Sequence, residues 1–503
     1  MLIEFDRKGI FFAIILKKNT FAKIFKTTMH TIEQKLLTLA QELNHNFCRI
    51  EKLQQSGSHR QYFRIFAAKN TIIGVYNQDI KENNAFFTFT DFFLSQNIHV
   101  PKIIAIGEMQ QYYLLEDLGD ETLFSFLTLH RDNEYIEETV VAYYKKVLQQ
   151  LPLLQLSGKK GIDFTVCYPR CAFDKQSMLW DLNYFKYYFL KLVNIPFDEQ
   201  LLENDFHCFI DFLLETDNDY FMFRDFQSRN IMLHNDEPYF IDYQGGRKGA
   251  LQYDVASLLY DGKADLPPVL REELLHYYLE ELSIHININK EDFCRYYYGY
   301  VLIRILQALG TYGFRGYYEK KSHFLLSIPF AVKNLKHLLP KFTFSDKIPT
   351  LIKVIQQITE SGFVSLCSLP ENKLTVTIYS FSYKKGIPQD LTVNGGGFVF
   401  DCRALPNPGR LPEYKNATGK DQCVIDYLED FEEVKLFNNV TTQLVCQSVN
   451  NYIERNFSHL MVNFGCTGGQ HRSVYFAEKL AEYLKNNYPT VNVITIHSNQ
   501  KIG

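Results

Sequence analysis

At 503 residues the chain exceeds what one ordinary core organises, so two or three domains are expected. Its hydrophobic share of 46% and charged share of 22% are those of a soluble globular protein, and a net charge of -4 exerts no global pull toward nucleic acid or an anionic membrane. The ten cysteines are scattered, with no CxxC pair and no metal-ligand rhythm, and read as reduced thiols of a cytoplasmic protein.

Residues 1–28 carry an apolar run from Gly9 to Leu16, shorter than the ~20 residues a membrane helix needs. Glu4, Asp6 and the lack of a small-residue cleavage site argue against a signal peptide. Met29 stands directly before an amphipathic stretch, so 1–28 is read as a disordered or mis-started extension without function. Ile32, Leu36, Leu37, Leu39, Ala40 and Leu43 then predict a helix over 31–46. Strand-like runs follow at 47–53, 61–66 and 71–76, a helix at 84–96, a strand near 100–107, and a strand at 112–115 that ends in a hinge, Glu116-Asp117-Leu118-Gly119. That order is the order of a small nucleotide-covering lobe. Residues 120–340 read as mostly helical, interrupted at 220–243 by a loop and a β-hairpin. Pro340, Pro349 and Pro370 flank one short helix, 350–359, and a turn at Glu360-Ser361-Gly362. Beyond them strands are predicted at 374–380, 397–400, 459–465 and 491–496, with helices at 422–431, 440–457 and 473–487, an α/β pattern.

The chemistry of the first half lies in Phe223-Arg224-Asp225-Phe226-Gln227-Ser228-Arg229-Asn230 and, twelve residues after the asparagine, Asp242 at the end of an apolar strand. A phosphotransferase needs a carboxylate to accept the proton of the attacking hydroxyl, here Asp225, and hard oxygen ligands for magnesium on the phosphates, here Asn230 and Asp242. A polar turn between buried strands gives D-x4-N by chance; the spaced aspartate and the hairpin favour the catalytic reading. These segments, with Leu115-Glu116-Asp117-Leu118-Gly119-Asp120 and Tyr253-Asp254-Val255, resemble the aminoglycoside phosphotransferase superfamily, which has the protein-kinase-like fold. Within it they look most like the bacterial kinases that phosphorylate cell-wall amino sugars at the anomeric hydroxyl, and Gly57-Ser58-His59-Arg60-Gln61-Tyr62-Phe63-Arg64 is similar to their nucleotide loop. The resemblance covers roughly 30–345. It implies an enzyme using ATP and Mg2+ on a sugar of the N-acetylmuramate or N-acetylglucosamine type. It makes Asp225 the base and Asn230 and Asp242 the metal ligands. The turn Ser56-Gly57-Ser58 would approach the phosphates, and Glu116 and Asp117 would lie in the adenine hinge. Arg224 is expected to brace the loop and Asp254 to cap a helix. One departure stands out: the third strand, Thr71–Asn77, lacks the lysine that relatives set against the phosphates, which leaves Arg64 and Lys81 as substitutes, with Glu82 to orient one of them. It leaves a pseudokinase open.

The second half centres on Gly465-Cys466-Thr467-Gly468-Gly469-Gln470-His471-Arg472-Ser473, between an apolar strand and a helix. Small residues, a helix N-terminus and an arginine suit a phosphate-sized anion. It is not a Walker loop. Cys466 and Arg472 satisfy C-x5-R, the pattern of cysteine-dependent phosphatases. The alternative is a resemblance to the C-terminal domain of the RNase adaptor RapZ, carried by this loop with Ser380–Pro388, Phe400–Pro408 and Thr418-Gly419-Lys420-Asp421. That domain binds glucosamine-6-phosphate and, in enterobacteria, small RNAs. The resemblance implies that Asp401 reads the sugar while Cys466, Thr467, Gly468, His471 and Arg472 surround the phosphate. Gly409 replaces a frequent histidine, a basic tail is missing, and acidic and basic residues balance over 371–503, so RNA is a weaker expectation than a sugar phosphate.

The expected architecture is an α+β protein-kinase-like bilobal fold followed by a separate α/β domain. The parts are an extension at 1–28, a kinase-like domain at 29–345 with lobes at 29–117 and 118–345, a linker at 346–370 and a RapZ-like domain at 371–503. Two functions compete. The first is a sugar kinase whose C-terminal domain binds an amino-sugar phosphate. The second is a non-catalytic adaptor that binds both ligands and acts on RNA or a protein partner.

Overall fold

The computed structural model describes residues 32–43, 46–53, 60–132, 135–193, 195–319, 321–360, 373–388 and 397–498. The expectations for residues 1–28 and for the turn Ser56-Gly57-Ser58 lie outside them. Packing divides the chain into two compact units. The first comprises 1–181, 203–305 and 338–348, and the second gathers 182–202, 306–337 and 349–503.

The first unit begins with α1 (32–43). It lays Ile32, Leu36 and Ala40 on Phe63, Ile65, Ile72 and Leu114. Those apolar residues come from a five-stranded antiparallel sheet of order β1-β2-β3-β5-β4. The strands are β1 (Arg49–Lys52), β2 (Gln61–Phe66), β3 (Thr71–Tyr76), β4 (Ile103–Ile106) and β5 (Tyr112–Glu116). Between β3 and β4 runs α2 (Ile80–Ser95), four residues longer at its start than the predicted helix. The earlier start follows from Asp79, whose side chain accepts the amides of Lys81 and Glu82 as an N-cap. Further on, α2 turns a row of aromatics inward. Phe87 meets Tyr113 edge-on at 5.0 Å, Phe86 stacks on Tyr243 at 5.1 Å and Phe93 meets Phe221 at 5.1 Å. Part of the high Phe and Tyr content thus joins the small lobe to residues 221–243.

That segment starts at β8 (Tyr220–Met222), preceded by the two-residue pair β6 (Arg131–Asp132) and β7 (Tyr135–Ile136). A hairpin follows, β9 (Ile231–His234) and β10 (Glu237–Phe240), and then β11 (Arg247–Gly249), which pairs with β8. Asn235 and Asp236 close the hairpin with φ of +51° and +61°, the left-handed pair that a two-residue turn matching the strand twist requires. The helices before and after it in the chain are α3 (Leu123–Leu129), α4 (Glu138–Leu156), α5 (Lys175–Phe185), α6 (Glu199–Leu213), α7 (Leu251–Leu259), α8 (Pro268–His285) and α9 (Lys290–Gly313).

The second unit contains α10 (Ile328–Leu338, in part), α11 (Pro349–Glu360) and a four-stranded, wholly parallel sheet of order β13-β14-β12-β15. Its strands are β12 (Thr375–Ser382), β13 (Gly397–Asp401), β14 (His459–Cys466) and β15 (Asn492–His497). The two inner strands, β12 and β14, are almost wholly buried, as a parallel sheet covered on both faces demands. The crossovers carry α12 (Gln422–Glu429), α13 (Glu432–Glu454) and α14 (Arg472–Asn487). α13 begins eight residues before the predicted helix, because Val434 is buried in the core there despite the polar residues around it. The core joins Val376, Ile378, Val462 and Phe464 of the sheet to Phe476, Leu480 and Leu484 of α14. Among the described residues no helix is long and apolar enough to cross a membrane.

Ile378 is fully buried on an inner strand of this sheet. Ile378→Ala should cost about 2–5 kcal/mol, the loss of transfer free energy plus the cavity left behind. In urea, followed by far-UV circular dichroism, the transition of the second unit should move to lower denaturant; an unmoved curve contradicts this packing.

Candidate functional site

In the first unit the chain turns sharply between β8 and the hairpin. Arg224 has φ +80°, a conformation unusual for a residue with a Cβ. Two groups hold it there. The buried carboxylate of Asp254 accepts the amide of Phe223 at 2.8 Å and that of Arg224 at 3.0 Å. The Arg224 guanidinium donates to both oxygens of Asp181 at 2.7 Å and to the Tyr253 hydroxyl at 2.7 Å, with its plane over Phe173 at 4.6 Å. Arg224 thus sits as the brace the sequence suggests. Asp254 does not cap its helix: the N-cap of α7 is Ala250, and Asp254, in the first turn, reaches back to the amides of Phe223 and Arg224. Burial, opposed by those two amides, pushes its carboxyl up from 3.8 to about 7.

The turn delivers Asp225 to the cleft with its side chain 42% exposed. Arg304, buried on α9, donates to Asp225 Oδ1 at 3.2 Å and to Ser257 Oγ at 3.0 Å. Arg229 lies 3.7 Å from the other carboxylate oxygen. Asn230 closes the loop by donating Nδ2 to the Asp225 carbonyl at 2.9 Å. With the amide nitrogen so engaged, its oxygen is the end left to a cation. Asp242 follows β10 with φ +72° and accepts Gln244 Nε2 at 2.7 Å. The cleft walls desolvate it and, together with the charge of Asp225, hold its carboxyl above the usual range in spite of Gln244 and Arg60. The structure thus brings the three together: Asn230 bonds the Asp225 carbonyl, and the charge of Asp225 acts on Asp242. The donor set fits magnesium, which keeps several waters and takes one or two protein oxygens beside the phosphates of its nucleotide.

The small-lobe residues fall out differently. Arg64 is held by the hinge: Nη1 donates to Asp120 at 2.9 Å, and Nη2 to Asp117 at 3.0 Å and to the Gly119 carbonyl at 3.1 Å. Burial raises the Asp117 carboxyl, but hydrogen bonds from Thr71 and Arg64 outweigh it and leave the group below its ordinary value. Glu116 accepts the Lys102 amide at 3.2 Å, and Lys81 is exposed. Among the described small-lobe cations, Arg60 is the one that extends toward Asp242. Only 4% exposed, it lies 3.1 Å from Glu82 on α2 and 3.9 Å from Asp242. Sequence reasoning missed it, although residues 60, 62 and 64 share one side of an extended segment.

In the second unit, three neighbouring strands end together. The register sets Ser382 of β12 beside Cys466 of β14, and Asp401 of β13 beside Gly465. The loop after β14 folds over its own cysteine: Gly469, at φ +70°, donates its amide to Cys466 Sγ at 3.1 Å, and Ser473 Oγ lies 3.2 Å away. Ser382 Oγ donates to the Thr467 carbonyl at 2.6 Å, and Gly468 borders open space. Asp401 is taken up by Arg403, whose Nε and Nη2 reach its carboxylate at 2.9 and 2.6 Å; these bonds hold it below its ordinary value. Arg472, 4% exposed, turns Nη1 to the carbonyls of Arg403 at 2.9 Å and Leu405 at 2.8 Å, while its buried Nε has no hydrogen-bond partner among the described residues. His471 bonds the Tyr414 carbonyl at 2.8 Å. A Cβ at Gly409 would stand 3.1 Å from the His471 ring, so the glycine leaves room for that ring.

Residues 49–285 match the model of the phosphotransferase enzyme family, and residues 374–501 match that of the RapZ C-terminal domain. A nucleotide-binding protein of Clostridium acetobutylicum is 44% identical over 123 residues, 24% of this chain and 40% of the relative. One of Pseudoalteromonas translucida is 38% identical over 171 residues, 33% of this chain and 59% of the relative. The chain thus spans 40% and 59% of the length of these two curated relatives. Among solved structures, an ethanolamine kinase of Plasmodium vivax aligns with TM-score 0.43 and 12% identity, covering 58% of this chain and 82% of its own. The choline kinase LicA of Streptococcus pneumoniae aligns with TM-score 0.40 and 12% identity, covering 61% and 98%.

Asp254→Asn keeps the shape but sets an NH2 group against one of two amides that now find an oxygen. It should lower stability by about 1–3 kcal/mol. The unfolded carboxyl of the wild type ionises near 3.8 and the folded one near 7, so between these values the unfolded chain binds fewer protons and the fold loses stability as pH rises. Denaturation midpoints between pH 4 and 7 should fall less steeply in Asp254→Asn; parallel curves contradict the assignment.

Proposed function

We propose that this chain, in which a phosphotransferase-family domain is joined to a RapZ C-terminal domain, is an ATP-dependent sugar kinase that also binds an amino-sugar phosphate. The observation that carries the first half is the convergence of Asp225, Asn230 and Asp242 on one cleft, with a cation of the small lobe, Arg60, between Glu82 and Asp242. In this reading Asp225 Oδ2 accepts the proton of the acceptor hydroxyl, while Arg304 holds the other carboxylate oxygen and fixes the direction of the acceptor's lone pair. Asn230 and Asp242 would hold magnesium. The bound Mg·ATP supplies the phosphoryl group and neutralises the charge that develops on it. The acceptor is a free amino sugar of the N-acetylmuramate or N-acetylglucosamine type, attacked through its anomeric hydroxyl, and the reaction takes place in the cytoplasm where ATP is available.

The second half rests on the cup at the strand ends. The Gly468-Gly469 backbone, the start of α14 and the unpartnered Nε of Arg472 suit a phosphate. Asp401, held by a side chain of its own loop, would exchange Arg403 for a sugar ammonium. A cysteine-phosphatase reading competes through the hydrogen bonds to Cys466 Sγ. It is disfavoured by the burial of that thiol, 3% exposed, and by the turn of Arg472 Nη1 to backbone carbonyls. A non-catalytic adaptor that acts on RNA or a protein remains the other alternative.

Asp225→Asn should lower phosphoryl transfer to sugars about 10²–10⁴-fold while ATP binding persists. Coupled ADP-release assays over a panel of free sugars, beside calorimetry with ATP, read both quantities; a variant with normal turnover contradicts the role of the carboxylate. For the cup, calorimetry should show glucosamine-6-phosphate bound in preference to glucosamine, with Arg472→Ala weakening it about ten- to a hundredfold. Phosphate release that vanishes in Cys466→Ser would establish the phosphatase instead.

A further inference from the structure

We propose that Arg60 contacts the α- and β-phosphates of the nucleotide, in the position that a third-strand lysine fills in other kinases; the inference rests on the kinase reading above. In that fold a cation reaches the phosphates only because a glutamate on the small-lobe helix aims it. β3 offers no lysine here. Glu82 is nonetheless fixed as an aiming group: the Asp79 cap holds its amide at 3.2 Å, and Asn77 Nδ2 holds Oε2 at 2.8 Å. Its other oxygen meets Arg60 Nη2 at 3.1 Å. Arg60 Nη1 donates to the Tyr62 hydroxyl at 3.3 Å and stops 3.9 Å from Asp242 Oδ1, an ionic distance without a direct bond. The guanidinium thus spans from the helix glutamate to the aspartate expected to ligate the metal, which is the line a diphosphate must follow.

Among the described residues, the other candidate cations near this site are engaged or placed elsewhere. Arg64 is bound at three points on the hinge. Lys81 is exposed at the start of α2. Arg229 and Arg304 flank Asp225. An arginine also suits the role chemically, because its planar fork meets two phosphate oxygens at once, whereas an ammonium acts as a point charge.

The test compares nucleotides that differ only in their phosphates. Calorimetry of the full chain with Mg2+ and either ADP or adenosine is run on the wild type, Arg60→Met, Arg60→Lys and Glu82→Gln, each checked by thermal melting. Arg60→Met should weaken ADP roughly ten- to a hundredfold, the worth of a charge-assisted bond or two, and leave adenosine nearly unchanged. Arg60→Lys should recover part of the loss, and Glu82→Gln should show a smaller loss of the same kind. Equal ADP affinity in wild type and Arg60→Met overturns the assignment, as does a parallel loss of ADP and adenosine, which marks a structural strut. If Arg60→Met does not fold, an unchanged ADP-to-adenosine ratio in Arg60→Lys and Glu82→Gln overturns it as well. A wild type that binds neither ADP nor adenosine fails the kinase reading itself, a separate result from the loss of Arg60.

Discussion

The two oxygens of Asp254 accept the amide protons of Phe223 and Arg224, and the geometry of the cleft follows from this double contact. A residue with a side chain takes φ +80° only where its surroundings over-determine it. Asp254 fixes the backbone from one side, and Asp181 fixes the Arg224 guanidinium from the other. Asp225 follows directly on this anchored turn and is held on one oxygen by Arg304. Asp242 reaches the same cleft by a second left-handed residue at the end of its strand. Strain at Asp242 and at Arg224, the residue before Asp225, is what a site pre-organised for a cation and a phosphate would store.

Charge in the cleft is balanced in pairs that a ligand can re-partner. Arg304 and Arg229 face Asp225, and Arg60 faces Glu82 and Asp242. In a desolvated site such interactions exceed their strength in water, yet an unpaired buried charge would be costly. The second unit uses the same device at its strand ends: Asp401 and Arg403 satisfy each other, and Arg472 is satisfied only in part.

The order of the small lobe, the hairpin and the parallel C-terminal sheet was legible from apolar periodicity and turn residues. So was the cluster of Asp225, Asn230 and Asp242, because a loop-and-hairpin spacing is local and leaves little freedom. What local pattern could not decide was which of two arginines, Arg60 just before β2 or Arg64 on it, reaches the helix glutamate. Both Arg60 and Arg64 have the right alternation; Asp117 and Asp120, more than fifty residues away, claim Arg64 and leave Glu82 to Arg60. Asp254 was misread for the same reason, since its partners lie thirty residues upstream. In the cup, the motif gave the residues around an anion, but the turn of Arg472 Nη1 toward the carbonyls of residues 403 and 405 depends on a loop that spacing does not position.

The central claim is that the cleft around Asp225 moves a phosphoryl group from ATP to a sugar. Phosphorus NMR of the full chain with Mg·ATP and N-acetylmuramate or N-acetylglucosamine tests it most directly, because it reports the identity of the product. The account predicts a phosphomonoester signal coupled to an anomeric proton, growing as the γ-phosphate signal of ATP declines. Loss of γ-phosphate to inorganic phosphate alone, or no change with any sugar while ATP binds, would contradict it.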